Sequence, residues 1–313
     1  MEKTDQTAPV IPSVNPQGGS SACGHSFVNA FQDCPRKWLL RYELGITPRY
    51  TGKALTFGLA WHKAIEGFYG SSGEEALALA QGLEILHSAQ ANHQYEYSED
   101  YDADTERFPV MLSEWFRSVG RDILGRFDVL SLEETLSIEL PNGFVFTGRL
   151  DELLQERTTG LVFVAEHKST AYSLTEMERN VFVGDQVPGY LALLRENKPE
   201  YSAQLGGCLL DVTYQKGRSL QARVSRLAYD ESDTARLVLN ITGVLNELSQ
   251  KISAYRSGVS DALLFPRNGS ACSRFRCPYE SICRSFIDAD STLPDKLVRV
   301  PLGGFVLEEE LGA

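Results

Sequence analysis

The chain has no stretch approaching the roughly 18 to 20 uninterrupted apolar residues that a membrane helix needs, and residues 1 to 25 lack the basic start and apolar run of a secretory signal. A cytoplasmic address is therefore expected, with no membrane among its partners. Positive charge is also in short supply: 30 Lys and Arg against 42 Asp and Glu leave a net charge of −12. That balance excludes a protein that coats nucleic acid by bulk electrostatics, since such domains are basic. Any contact with a polyanion has to be local. Three stretches offer it, each equally readable as solvated surface: Arg36, Lys37, Arg41, Arg49 and Lys53; Lys216, Arg218, Arg223 and Arg226; Arg267, Arg274, Arg276 and Arg284. No internal repeat is evident.

What the chain does have is a length of 313 residues with 42% apolar content, enough for one sizeable core, or a core plus a small lobe. Residues 1–21 are rich in Pro, Ser, Gly, Gln and Thr and read as a flexible tail. One domain is expected over 22–290, followed by an acidic, apolar tail over 291–313. Apolar spacing predicts a helix or helix pair over 27–44, broken at Pro35, then helices over 54–69, 74–91 and 110–127. The acidic run 96–106 reads as a solvated loop. After Phe127 the pattern changes to strands over 130–140, 144–154 and 161–167, separated by Pro141-Asn142-Gly143 and Thr158-Thr159-Gly160. A helix over 184–196, strands over 204–214 and 221–227 joined by Lys216-Gly217-Arg218, and a long helix over 232–256 follow. The fold class is α/β.

Gly148-Arg149-Leu150-Asp151 lies near the end of one predicted strand, and Glu166-His167-Lys168 at the end of the next. Residues two apart in a strand share a face, so Glu166 and Lys168 project together while His167 points away, and a hairpin lets Asp151 meet Glu166. Such a group suits metal-assisted phosphodiester hydrolysis: carboxylates hold Mg²⁺ or Mn²⁺, the ion polarises a phosphate, and an ammonium orients or activates water. A surface ion pair with a spare carboxylate has the same spacing. Two flanking patterns favour chemistry: Gly58-x3-His62-x3-Glu66 on a predicted helix, and Gln186-x3-Tyr190 on the helix after the Glu-x-Lys strand.

Six cysteines in a reducing compartment suggest metal binding more than disulfides. Cys34 sits in Asp33-Cys34-Pro35-Arg36-Lys37, and Cys272, Cys277 and Cys283 cluster far downstream. Four thiolates suit an iron–sulfur cluster or structural zinc, and residue chemistry alone does not choose between them. Cys208, in an apolar strand, reads as a small core residue, and Cys23 as a free thiol near the tail.

The ordered set His62, Asp151, Glu166-x-Lys168, Gln186-x3-Tyr190 resembles the RecB-like branch of the PD-(D/E)XK nucleases, which includes the nuclease domains of RecB and AddB and the iron–sulfur exonucleases of CRISPR adaptation. The resemblance covers about residues 22 to 290. It implies a restriction-endonuclease-like mixed sheet flanked by helices, with an N-terminal helical lobe, an unexplained helical insert over about 71–127, and a four-cysteine clasp. It further implies that His62, Asp151, Glu166 and the backbone carbonyl of His167 ligate Mg²⁺ or Mn²⁺ and that Lys168 is catalytic. Gln186 and Tyr190 would lie beside the DNA strand, and Cys34, Cys272, Cys277 and Cys283 would hold a [4Fe–4S] cluster rather than zinc. Arg36 and Lys37 are the DNA-contacting candidates at the N-terminal end. Three departures stand out: Leu150 replaces the family's proline, Glu166 stands where many relatives have Asp, and four residues rather than two separate Cys272 from Cys277. The expected activity is a DNA exonuclease acting on ends or single strands in recombination, repair or phage DNA processing. A non-cleaving DNA-end scaffold, or a subunit active only with a protein partner in a recombination or repair complex, is the alternative.

Overall fold

The computed structural model describes residues 23–216, 219–274, 277–285 and 291–300. The expected tail over 1–21, residues 301–313 of the second tail, and Gly217 and Arg218 of the predicted turn lie outside the described residues. Where the sequence predicts one domain over 22–290, the residues gather into two compact units, each discontinuous in sequence. A sheet unit comprises Tyr50–Leu136 and Arg149–Thr234; a terminal unit comprises the residues up to Arg49, Ser137–Gly148 and those from Ala235 onward.

The chain opens with α1 (His25–Asp33), an extended Cys34, and α2 (Pro35–Trp38), followed by a π-helical turn and strand β1 (Ile46–Pro48). Pro35 occupies the first helical position of α2, where its missing N–H costs nothing. The break predicted at this proline is therefore real, and it leaves Cys34 at the joint. Helices α3 (Lys53–Gly70), α4 (Glu75–Ala91) and α5 (Ser98–Trp115) come next, with a second π-helical turn leading to α6 (Arg121–Arg126). The acidic run expected as a loop is instead the first half of α5. Glu99 and Asp100 fall in its first turn, where carboxylates meet the positive end of the helix dipole. Asp104 is buried, bonded by the Tyr95 hydroxyl (3.1 Å) and paired with Arg107 (3.0 Å), and it heads an inward stripe of Phe108, Met111, Leu112 and Trp115.

Strands β2 (Phe127–Glu139), β3 (Val145–Glu156) and β4 (Val162–Thr170) follow. Helices α7 (Leu174–Phe182) and α8 (Gln186–Asn197) then lead to β5 (Leu205–Lys216) and β6 (Ser219–Leu227). Sequence patterning did not predict α7. The five strands lie in the order β2-β3-β4-β5-β6, with β4 and β5 parallel and the pairs β3–β4 and β5–β6 antiparallel. Gly160 at φ +71° closes the β3–β4 hairpin, a conformation that disfavours residues with a Cβ. The parallel step needs a crossover, which α7 and α8 supply.

From Val162 to His167 every residue of β4 is buried, as expected of a central strand covered on both faces. Phe57, Ala60, Trp61, Ala64, Ile65 and Phe68 recur along α3 at helical spacing and share a core with Phe108 and Trp115 and with Leu154, Phe163, Ala165 and Leu209 of the sheet. Each fully buried Leu, Ile or Phe among these stabilises the unit by about 1.5–3 kcal/mol, and each alanine by much less. Helix α8 packs against β4 and buries Val187, Leu191 and Leu194.

In the terminal unit, α9 (Glu231–Arg256), which enters it at Ala235, is followed by α10 (Asp261–Leu264), α11 (Gly269–Arg274) and β7 (Leu297–Arg299). Trp38 stacks on Phe265 at 6.1 Å, with Phe31 and Tyr255 edge-on to the same ring. Strand β7 pairs antiparallel with β1, Ile46 opposite Arg299, so part of the expected C-terminal tail is built into the unit. Cys23, expected to be free near the tail, is a free thiol but a buried one, and burial pushes it up to about 12. Among the described residues no helix is long and apolar enough to cross a membrane.

Candidate active site

The last rung between β3 and β4 at this end of the hairpin joins Glu152 to Ala165; Asp151 and Glu166 come next on their strands. In an antiparallel pair opposite residues share a face, so the two carboxylates project to one side and Glu152 and His167 to the other. Strand alternation places Lys168 beside Glu166, and the two form an ion pair. Helix α3 brings His62 to the same place: its Nδ1 lies 3.2 Å from Asp151 Oδ2. The backbone N–H of His167 donates to that same oxygen at 3.2 Å. Gln186 at the start of α8 donates from Nε2 to Glu166 Oε1 (3.0 Å) and to the Tyr190 hydroxyl (2.9 Å), one turn along the helix. His62, Asp151, Glu166, Lys168, Gln186 and Tyr190 thus form one connected group within the sheet unit. Glu66, which the sequence places on the His62 face, pairs instead with Lys63 at 2.8 Å.

Sequence reasoning missed one member. Glu133 of β2 has a ligand atom within 4.8 Å of those of His62 and Asp151, and Arg149 holds its Oε2 at 2.7 Å. Its backbone sits at φ +47°, rare for a residue with a side chain. The available signal was Glu133-Glu134 itself, two adjacent carboxylates interrupting the alternation of Leu130 and Leu132 with Leu136 and Ile138.

Each carboxylate of the group has a basic neighbour, His62 beside Asp151, Arg149 beside Glu133 and Lys168 beside Glu166. Burial pushes the Glu166 carboxyl up despite Lys168, and burial with the nearby Asp151 does the same to Glu133. Burial works against Asp151 as well, yet the charge and hydrogen bond of His62 hold it below the usual carboxylate range. His62 in turn is raised: desolvation would lower it, but Asp151 overrides. Glu166 Oε2 is buried without a hydrogen-bond partner, an arrangement that is costly unless something else binds the oxygen. Three carboxylates are the hard oxygen donors that Mg²⁺ or Mn²⁺ accepts, and the imidazole of His62 adds one borderline nitrogen, so the residues fit such an ion, Mn²⁺ more readily than Mg²⁺.

In the terminal unit, Cys34 is buried and Cys272, Cys277 and Cys283 are partly or wholly exposed. Burial, then Cys34 and Cys272, and after them Cys277 push the Cys283 thiol up, so all four sulfurs lie within electrostatic reach. Among the described residues, no three of them come within 4.8 Å of one another. The backbone N–H of Asn268 points at Cys34 Sγ from 3.5 Å. Arg36, expected to contact DNA, is buried instead: it pairs with Asp261 and donates to the Ser285 carbonyl at 2.8 Å. Its neighbour Lys37 lowers the Cys277 thiol, against the larger effect of burial. Other basic candidates are neutralised, Lys53 by Asp100, Arg223 by Glu178 and Arg226 by Glu156.

A family model described as the PD-(D/E)XK nuclease superfamily matches residues 24–284. No curated protein matches the chain. Among solved structures, the crystal structure of SSO0001 is 17% identical, covers 47% of this chain and 68% of that one, and superposes with a TM-score of 0.26. An overlap that loose transfers no residue from one chain to the other.

Proposed function

Since the chain belongs to the PD-(D/E)XK nuclease superfamily, we propose that it is a Mg²⁺- or Mn²⁺-dependent DNA exonuclease of the RecB-like branch, acting on DNA ends or single strands. Its five-stranded mixed sheet flanked by helices fits the restriction-endonuclease-like fold of that superfamily. The observation that carries the reading is the convergence of His62, Glu133 and Asp151 beside Glu166, whose inner oxygen is unpartnered, with Lys168 at its side.

In this reading His62, Asp151, Glu166 and the His167 backbone carbonyl hold the ion, with Glu133 as an additional donor. The ion supplies charge to polarise a phosphodiester and acidify water. The residues do the rest. Lys168, kept protonated by Glu166 although burial alone would lower it, is placed to orient the attacking water or offset charge on the phosphate. Gln186 and Tyr190 extend the polar surface from Glu166 along α8, where a DNA strand would lie. The four cysteines are proposed to hold a [4Fe–4S] cluster that ties Cys34 to the 272–283 segment, and Lys37 to be the DNA contact left once Arg36 is committed to Asp261. The cellular setting proposed is recombination, repair or phage DNA processing, in the cytoplasm, with a protein partner in such a complex.

The test is a cleavage assay on end-labelled single- and double-stranded DNA with Mn²⁺, run on anaerobically purified protein whose iron and zinc are measured. Shortening of DNA that vanishes with chelator and in Asp151→Asn supports the nuclease reading. Metal-independent cleavage, or DNA binding without cleavage, rejects it, the latter in favour of a scaffold or a partner-dependent subunit. Zinc in place of iron rejects the cluster alone.

A further inference from the structure

The interior of the sheet unit holds a second charged group that the proposed chemistry does not use. His167 is 1% exposed, and its two ring nitrogens face two carboxylates: Nδ1 meets Asp211 of β5, and Nε2 meets Glu152 of β3. Asp211 is the direct register partner of His167 in the parallel pair, and Glu152 belongs to the β3–β4 rung nearest Asp151. Three neighbouring strands are therefore joined through one imidazole. Tyr69 of α3 and Trp115 of α5 wall the ring in, with centroids at 6.1 and 6.2 Å.

We infer that the His167 side chain is a positioning residue for Asp151. Held by Glu152 and Asp211, it fixes the β4 backbone whose own N–H holds the Asp151 carboxylate. The inference rests on the reading of Asp151 as a metal ligand. Position 167 is where the two roles meet: it lies beyond the last rung of the β3 ladder, and its N–H donates to Asp151 Oδ2. Where that hydrogen points depends on the placement of one peptide unit, and the ring on the same residue is tied to both flanking strands. Plain packing does not call for this arrangement. A branched aliphatic residue at 167 with apolar partners at 152 and 211 would fill the slot without burying charged groups, and buried ionic groups of this kind give little net stability over apolar replacements. What the histidine adds is direction, which packing does not supply. Groups that orient metal ligands in this way typically change metal affinity or activity by about 10- to 100-fold when removed.

The test uses the full chain in three forms: Asp211→Asn, Glu152→Gln, and a triple variant, Glu152→Leu with His167→Leu and Asp211→Leu, which removes the whole group without leaving an unpaired buried charge. Circular dichroism reports the fold, titration calorimetry the Mn²⁺ affinity, hydrogen exchange the amide of residue 167, and steady-state kinetics kcat and KM separately. The expected result is a folded triple variant whose Mn²⁺ affinity and kcat fall by about 10- to 100-fold, whose KM for DNA stays within about twofold, and whose residue 167 amide exchanges faster. The single variants should fall between. A folded triple variant with Mn²⁺ affinity and kcat within about twofold of the parent overturns the inference and leaves His167 a core residue. Should the parent itself bind no Mn²⁺, the metal reading fails on its own; unchanged amide exchange would then overturn the clamp, and faster exchange would uphold it.

Discussion

Two groups of candidate ligands in this chain differ in how far the fold alone brings them together. In the sheet unit, His62, Glu133 and Asp151 stand within 4.8 Å of one another. Each is carried by a long regular element, and Asp151 is further held by a backbone N–H. In the terminal unit, the cysteines act on each other electrostatically, but no three sulfurs are that close among the described residues. They are carried by the cap of a four-residue helix, a six-residue helix and turns. Ligands on long elements pay their ordering entropy when the core forms; ligands on short ones are drawn in by the ion itself. The carboxylate group should therefore outlast loss of its metal, and the cysteine group should not.

Among single substitutions the largest effect should come from Lys168→Ala, which removes the ammonium paired with Glu166 and leaves it the Gln186 hydrogen bond. Cleavage should fall by roughly 10²–10⁴-fold, as for loss of a positioned proton-transfer or charge-stabilising group, while circular dichroism stays that of the parent. Next, chelation should abolish cleavage and leave the melting transition almost in place, whereas Cys34→Ser should deplete iron and lower the melting temperature. A melting temperature that responds equally to both treatments would break the comparison. Glu133→Gln should weaken Mn²⁺ binding by roughly tenfold in calorimetry without destabilising the metal-free protein, because it removes a carboxylate raised by burial and by Asp151.

A pH series sharpens the contrast further. His62 is raised above 6.5 in the metal-free protein, so the proton it shares with Asp151 stabilises the fold below that value, and the contribution fades as pH rises through the elevated one. Mn²⁺ requires that proton to leave, so its affinity should climb over the same interval, by roughly tenfold per pH unit at most. A flat profile would separate His62 from the metal. The smallest effect should come from Gly160→Ala. Nothing lies within 4 Å of the added Cβ, so the cost is the strained φ of +71° alone, about 1 kcal/mol in a denaturant titration.

Contacts made within a hairpin or a single helical turn were legible in the sequence. Asp151 and Glu166 meet because Thr158-Thr159-Gly160 turns the chain between them, and Gln186 reaches Tyr190 because four residues make a helical turn. Glu133 was not legible, because its reach depends on a backbone conformation that interrupts the strand's alternation. Asp211 was hidden for a different reason: its pairing with His167 arises from a parallel register set by a crossover of two helices, one of which, α7, local patterning did not reveal. The acidic start of α5 misled because charge was read as solvation, when carboxylates in a first turn favour a helix and Asp104 has buried partners.

The interleaving of the two units along the chain bears on how it is made. Trp38 and Phe31 find their aromatic partner in Phe265, more than two hundred positions downstream. A ribosome adding about 5 to 20 residues per second takes on the order of ten to fifty seconds to cover that distance. Throughout that interval Trp38 can pack only on local rings such as Phe27, Phe31 and Tyr42, while the sheet unit, complete once Thr234 has emerged, can already collapse. Synthesis thus imposes an order in which the sheet unit matures first and the segment around Cys34 waits, exposed to chaperones.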